Sequence, residues 1–179
     1  GFDKRFWQHL APRFSPDTIT YMDLGYFGDP TPLSIKDKQS NAHPWIGIGH
    51  SLGLAKLCML PQKMDALIGL NSFVNFLGTS SFQREKRANA LALLKQHFMQ
   101  SPVHTLKSFY QRCGVPFRLP DETQLRIATL LADLDFLTLP MTVPATTPML
   151  IIGAQDDMIV PPGLLYDNFS SHPHVKLDI

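Results

Sequence analysis

Ser51 is the residue whose surroundings point most clearly to chemistry. It is the centre of a G-x-S-x-G pattern, Gly49-His50-Ser51-Leu52-Gly53, between a buried-strand pattern and a helical pattern. This context predicts a nucleophile elbow, a tight turn that exposes a serine hydroxyl at the carboxyl edge of a sheet. The N–H of Leu52, at the start of the helix, would then face an oxyanion. The alternative is an ordinary strand–loop–helix turn that carries a surface serine.

Two adjacent aspartates provide a candidate acid. Asp156 and Asp157 follow a short apolar segment that ends in Gly153 and precede Val160 and Pro161. An aspartate after a later strand is where the acid of a Ser-Asp-His triad lies, and it orients the histidine that accepts the serine proton. Counting from Gly153 favours Asp156, and counting back from Pro161 favours Asp157. We expect Asp156, with Asp157 as the alternative; both would otherwise be turn residues.

The elements that must position these groups alternate along the chain. Short apolar segments predict strands at residues 18–24, 45–50, 66–71 and 149–153, and a last strand from Val175. Helical patterns occur at residues 4–14, 52–60 and 163–169. Strands that alternate with helices predict an α/β fold, a mostly parallel sheet flanked by helices.

Residues 79–144 interrupt this alternation. They hold two helical patterns, at residues 82–100 and 121–135, and no convincing strand. We therefore expect three parts: residues 1–78 are a first part of the sheet core with the elbow, residues 79–144 are a helical lid, and residues 145–179 are the returning core.

Composition excludes several classes of protein. Hydrophobic residues make up 44% of the 179 residues and charged residues 17%, so charge-driven disorder is not expected. The net charge of +1 does not suggest nucleic-acid binding, and no apolar run is long enough for a membrane span. Two cysteines without metal-site spacing, and no export signal, favour a reducing cytoplasm.

The predicted lid carries the evidence about substrate. Residues 79–120 contain seven basic residues and one acidic residue, a local net charge of +6 that would steer an anionic partner. Arg87, Leu91, Leu94 and Phe98 form one helical stripe, which would line an acyl channel with Arg87 at its rim. Phe73 belongs to the aromatic residues near this segment and is a further candidate for substrate binding. The alternatives are a solvated charged face and ordinary lid packing.

Residues 1–7, 23–28, 49–53 and 153–161 together resemble the α/β-hydrolase superfamily, and within it the pimeloyl-acyl-carrier-protein methyl ester esterases of biotin synthesis. The resemblance implies a serine esterase that works through an acyl-enzyme without metal or organic cofactor, with an acidic acyl carrier protein as a partner. It also implies a catalytic histidine in a loop beyond Ile179 and a second oxyanion donor before Gly1, both outside this chain. His50 would line the pocket.

This sequence departs from the superfamily pattern in two places. The loop at residues 23–28 lacks the usual proline, and residues 31–44 show little of the expected helical periodicity. Two alternatives to the carrier-linked esterase therefore stay open: a general short-chain carboxylesterase or related lid-bearing hydrolase, and a non-catalytic binding protein on the same fold.

Overall fold

A computed structural model describes residues 2–31, 43–61, 64–115 and 124–179. Within these ranges four strands form one parallel sheet in the order β1-β2-β3-β4. The strands are β1 (Ile46–His50), β2 (Ala66–Leu70), β3 (Met149–Ile152) and β4 (Val175–Asp178). Their bounds agree within one residue with four of the five predicted strands, and the α/β class with a parallel sheet is confirmed.

Five α-helices accompany the sheet in the part of the chain that the structure describes. They are α1 (Leu52–Cys58), α2 (Ser81–Gln100), α3 (Pro102–Arg112), α4 (Ile127–Phe136) and α5 (Pro162–Phe169). Helix α1 connects β1 to β2, α5 connects β3 to β4, and α2 to α4 lie between β2 and β3. None of the helices in these ranges has the length and apolarity that crossing a bilayer requires.

The main core lies on one face of the sheet. Leu67, Met149 and Ile151 are buried, and their positions in the register place them in the rows that point to the same face. Leu54 of α1 and Leu164 of α5 belong to the same buried cluster. Helices α1 and α5 therefore cover the same face of the sheet.

A second cluster joins the helical block to the rest of the molecule. Its buried members are Tyr26, Phe98, Leu106, Tyr110 and Leu130. The Tyr26 hydroxyl donates to Asp133 Oδ2 at 2.6 Å, and Lys56 Nζ lies 2.6 Å from Asp133 Oδ1. The same ammonium lies 3.9 Å from the centre of the Phe136 ring. Burial, reinforced by the Asp133 carboxylate, raises the pKa of Tyr26. Helices α1 and α4 are therefore linked by a buried, fully bonded carboxylate.

The two ends of the helical block are held by the C-terminal part of the chain. Asn168 Oδ1 accepts from the N–H groups of Val74 and Asn75, at 3.0 and 2.7 Å. Asp167 accepts from the N–H and the hydroxyl of Thr79. At the far end, His174 Nε2 donates to the Pro144 carbonyl at 2.8 Å.

The N-terminal segment differs from its prediction. Residues 4–14 form two 3-10 turns, Lys4–Trp7 and Ala11–Arg13, instead of one helix. Pro12 explains the interruption, because it lacks an N–H and its ring clashes with a helical carbonyl one turn earlier. The strand predicted at residues 18–24 is also wrong: within the described ranges this segment pairs only through an isolated antiparallel bridge between Asp23 and Thr31.

The helices between β2 and β3 also differ in part from their prediction. Helix α2 confirms the pattern at residues 82–100, whereas α3 was not predicted. Pro102 at the first position of α3 separates the two helices, and this position suits proline because the N–H that it lacks would have no helical partner. Among the described residues the next helix begins at Ile127, and the predicted start at Asp121 lies outside them, as does most of the 31–44 segment.

Candidate active site

Ser51 occupies the turn between β1 and α1 with a backbone that serine rarely adopts. Its φ is 52° and its ψ is −121°, and its N–H donates to the Leu70 carbonyl at 3.1 Å. Such a conformation is held only when surrounding structure enforces it, and it concentrates at functional sites. Leu52 begins α1, so its N–H belongs to the first turn, where helical N–H groups lack an intrahelical acceptor.

The two glycines of the pattern have different environments. A Cβ on Gly49 would lie far inside contact distance of the Leu54 backbone nitrogen, so α1 approaches β1 only because residue 49 has no side chain. A Cβ on Gly53 would meet nothing within 4 Å. Gly49 therefore permits the close packing of strand and helix, whereas a side chain at position 53 would have open space.

His50 is enclosed by aromatic rings immediately before the serine. The Phe6 ring stacks on it at 4.3 Å between centroids, and the Phe2 ring meets it edge-on at 5.6 Å. Burial lowers the pKa of His50 to about 4, and the charge of Asp157 opposes this shift only in part. His50 is therefore neutral at physiological pH and packs against the Phe2 and Phe6 rings.

The loop after β3 distinguishes the two aspartates. Asp156 is exposed, and Asp157 is half-buried. Asp157 Oδ1 accepts from the N–H groups of Ile159 and Val160, at 2.7 and 2.8 Å, which fixes the carboxylate. Its charge also acts on His50 and raises, together with burial, the pKa of Cys113. Of the two aspartates, Asp157 is therefore the one whose carboxylate is held by backbone hydrogen bonds within the described ranges.

Helix α3 is the part of the helical block that reaches this edge. Phe2, which touches His50, also packs against Tyr110 at 5.0 Å and Phe109 at 6.4 Å between ring centroids. Burial raises the pKa of Tyr110 to about 12, and the Asp3 carboxylate adds to the rise. Phe109 is one of the aromatic residues that the sequence places near the predicted lid, but its contact with Phe2 has no local signal because it joins distant segments.

The predicted substrate-binding residues that follow β2 or lie on α2 have packing roles. Phe73 and Phe98 are 2% and 3% exposed, each within one of the two buried clusters, and Leu91 is 5% exposed. Arg87 donates to the Leu77 carbonyl at 3.1 Å and lies 3.9 Å from Asp167, and burial lowers its pKa. Within the described ranges these residues therefore have packing and anchoring contacts, and the channel stays a prediction.

Some of the basic side chains of the predicted lid form bonds within the protein. Arg84 donates to the Gly78 carbonyl at 3.4 Å, and Lys95 pairs with Asp135. Lys86, Lys107 and Arg112 are exposed on α2 and α3. Arg118 and Phe117 lie outside the described residues.

The remaining histidines do not complete a triad at this edge. His174 precedes β4, and its carbonyl accepts from Met149 at the start of β3, so it lies at the amino edge of the sheet. His172 packs against it, and His43 precedes β1. His9, His97 and His104 are exposed. Within the described ranges, no three side chains of His, Cys, Asp or Glu are grouped to hold a metal ion.

These observations define an α/β protein whose candidate site lies at the carboxyl ends of parallel strands. No family model matches the chain, and no curated protein matches it. Among solved structures, Rv0554 from Mycobacterium tuberculosis is similar at a TM-score of 0.32 and 16% sequence identity. The alignment covers 74% of this chain and 55% of that one, so the chain spans little more than half of its length.

Proposed function

We propose that the protein is a serine esterase that cleaves a carboxylic ester through an acyl-enzyme, on an α/β-hydrolase fold with residues 79–144 as its lid. The observation that carries the proposal is the backbone of Ser51, with its positive φ between a parallel strand and a helix. An ordinary turn would not need this strain. Two strands away, on the same edge, a fixed carboxylate follows β3.

Each group then has a defined task. Ser51 Oγ forms a bond to the ester carbonyl carbon while its proton passes to a histidine, and that proton then leaves with the alcohol. The N–H of Leu52 and a second donor stabilise the oxyanion. Water cleaves the acyl-enzyme by the same route in reverse. The mechanism requires this histidine and this second donor in addition to Ser51 and Leu52.

We assign the acid to Asp157, with Asp156 as the alternative. Two backbone N–H groups fix the Asp157 carboxylate through Oδ1, which leaves Oδ2 for an imidazole N–H. Asp156 is exposed and has no comparable support. An acid that orients a histidine must be held rigidly, because the correct tautomer and direction depend on it.

The substrate proposal is narrower. The Phe2 ring beside His50, with the Phe109 and Tyr110 rings packed against Phe2, supports an apolar acyl group. Lys86, Lys107 and Arg112, exposed on α2 and α3, support an acidic partner such as an acyl carrier protein that presents a methyl ester. A general short-chain carboxylesterase would use the same site without the partner.

The decisive experiment uses the protein expressed from its complete coding sequence. Hydrolysis of p-nitrophenyl esters and labelling by a fluorophosphonate are measured for the wild type, for Ser51→Ala and for Ser170→Ala, a matched change at an exposed serine after α5. We expect Ser51→Ala to lose both activities and Ser170→Ala to retain them. Hydrolysis that survives Ser51→Ala would refute the proposal.

The same assay tests the acid and the substrate. Asp157→Asn is expected to lower kcat by about 10⁴-fold, as loss of the orienting acid does in serine proteases, and Asp156→Asn by less than about threefold. The reverse result would assign the acid to Asp156. A methyl ester presented on an acyl carrier protein is expected to react with a lower KM than the free ester. Equal KM values would favour the general esterase.

A further inference from the structure

Leu70 and Asn71, two consecutive residues at the end of β2, contact both halves of the proposed catalytic edge. The Leu70 carbonyl accepts from Ser51 N–H at 3.1 Å, which ties it to the elbow. Asn71 N–H donates to the Ile152 carbonyl at 2.8 Å, and Asn71 Oδ1 accepts from Ala154 N–H at 2.9 Å. One dipeptide therefore sets the distance between the nucleophile turn and the loop that carries the acid.

The hydrogen bond to Asn71 Oδ1 comes from Ala154, at the start of the loop that carries the acid. The Ala154 carbonyl in turn accepts from Asp157 N–H at 3.2 Å, so the turn that presents Asp157 begins at the residue that Asn71 holds. On the other side, Gly153 N–H donates to the Asp178 carbonyl of β4 at 2.7 Å. A shift of Ala154 would therefore move the whole turn relative to Ser51.

The backbone of Asn71 shows that the side-chain bond depends on an unusual conformation. Its φ is 40°, and Asn71 and Ser51 are the only non-glycine residues with positive φ in the described ranges. Asparagine tolerates this region better than most residues, although glycine would adopt it more readily. The strained turn directs the carboxamide oxygen at the Ala154 N–H. A glycine at position 71 would have no side-chain oxygen to accept this hydrogen bond.

We propose that Asn71 is a positioning residue that fixes the acid loop relative to the nucleophile, an inference that rests on the proposed esterase function. It touches neither substrate nor reacting atoms. Its effect comes through the position of the Asp157 carboxylate, and misplacement of a catalytic group by about 1 Å can lower a rate by about a hundredfold.

The test compares Asn71→Gly with Asn71→Asp in the protein from the complete coding sequence. Asn71→Gly keeps the backbone conformation and removes the acceptor, whereas Asn71→Asp retains an acceptor oxygen. The fluorophosphonate-reactive fraction normalises each preparation for active protein. We expect Asn71→Gly to lower kcat by about ten- to a hundredfold with KM nearly unchanged. We expect Asn71→Asp to restore kcat to within about threefold and to raise the lower pKa of the pH–rate profile, because its added charge stabilises a protonated histidine.

Asn168→Ala is the matched structural control. It also removes an asparagine oxygen that accepts backbone N–H groups, but at the loop after β2 that leads to the helical block. We expect it to lower Tm while kcat per active site stays within about twofold. A normal kcat in Asn71→Gly, or a loss in Asn71→Gly that Asn71→Asp does not restore, would overturn the inference. Activity that persists in Ser51→Ala would instead refute the esterase proposal itself.

Discussion

The buried ring of His50 predicts a specific loss of stability in acid. Burial lowers its pKa from the ordinary value of 6.5 to about 4 in the folded protein. Between pH 6.5 and about pH 4, His50 is protonated in the unfolded chain but remains neutral in the folded protein. The contribution of neutral His50 is therefore complete above pH 6.5 and is lost as the pH falls toward 4.

The magnitude follows from these two values. The free energy of unfolding decreases by about 1.4 kcal/mol for each pH unit between them, so the total loss is about 3 kcal/mol. At pH 4.5 about 2.5 kcal/mol of it has been lost. This is a large part of the 5 to 15 kcal/mol by which domains are typically stable.

Urea unfolding followed by tryptophan fluorescence at pH 7.5 and 4.5 measures the effect. His50→Gln keeps a polar side chain of similar size that does not titrate, so its free energy of unfolding should fall by about 2.5 kcal/mol less than that of the wild type. His97→Gln, at an exposed site on α2, should behave like the wild type. Parallel losses in the wild type and His50→Gln would show that the His50 ring is accessible to protons and that the burial argument is wrong.

Two further predictions concern packing. Gly49→Ala should lower the free energy of unfolding by more than about 2 kcal/mol, because its Cβ would overlap the Leu54 backbone, whereas Gly53→Ala should raise it by about 0.5 to 1 kcal/mol. Thermal unfolding of the pair measures both, and equal effects would contradict the asymmetry. Tyr26→Phe should lower the free energy of unfolding by about 1 to 2 kcal/mol, because the Asp133 carboxylate loses one of its two partners. A neutral result in urea unfolding would show that water replaces the hydroxyl.

The parallel sheet could be predicted because its strands are buried as short apolar runs with clear boundaries. Gly69 and Ile151, for example, face each other in the register, and both lie within apolar segments that end at turn-forming residues. The turn at Ser51 between β1 and α1 could also be predicted, because the strand, the G-x-S-x-G pattern and the helix are consecutive in the chain.

The two N-terminal errors have different causes. Residues 18–24 have β-prone composition, but a strand also requires a neighbour, and in the described sheet β1 pairs only with β2. Residues 4–14 have a helical apolar pattern that Pro12 interrupts. Composition describes what a segment tolerates, whereas the partner decides what it forms.

The site was predicted where it is local and missed where it depends on distant contacts. Asn71 follows an apolar strand and looks like an ordinary turn residue, yet its acceptor role involves Ala154, 83 residues later. The stripe on α2 is real, with Leu91 and Phe98 both buried, but periodicity cannot distinguish a face that packs against protein from one that lines a channel.

The bonds at the two ends of the helical block have a consequence for how this protein can diversify. Strands β2 and β3 pair directly, and Asp167, Asn168 and His174 fix the points where the chain leaves and re-enters the sheet. The sheet is thus largely indifferent to the length of what lies between, since doubling a closed loop costs only about 0.6 kcal/mol of entropy. A block of another length could therefore be inserted between these anchors while β2 and β3 stayed paired, whereas one of another composition would remove the contacts of Tyr26 and Lys56 with Asp133.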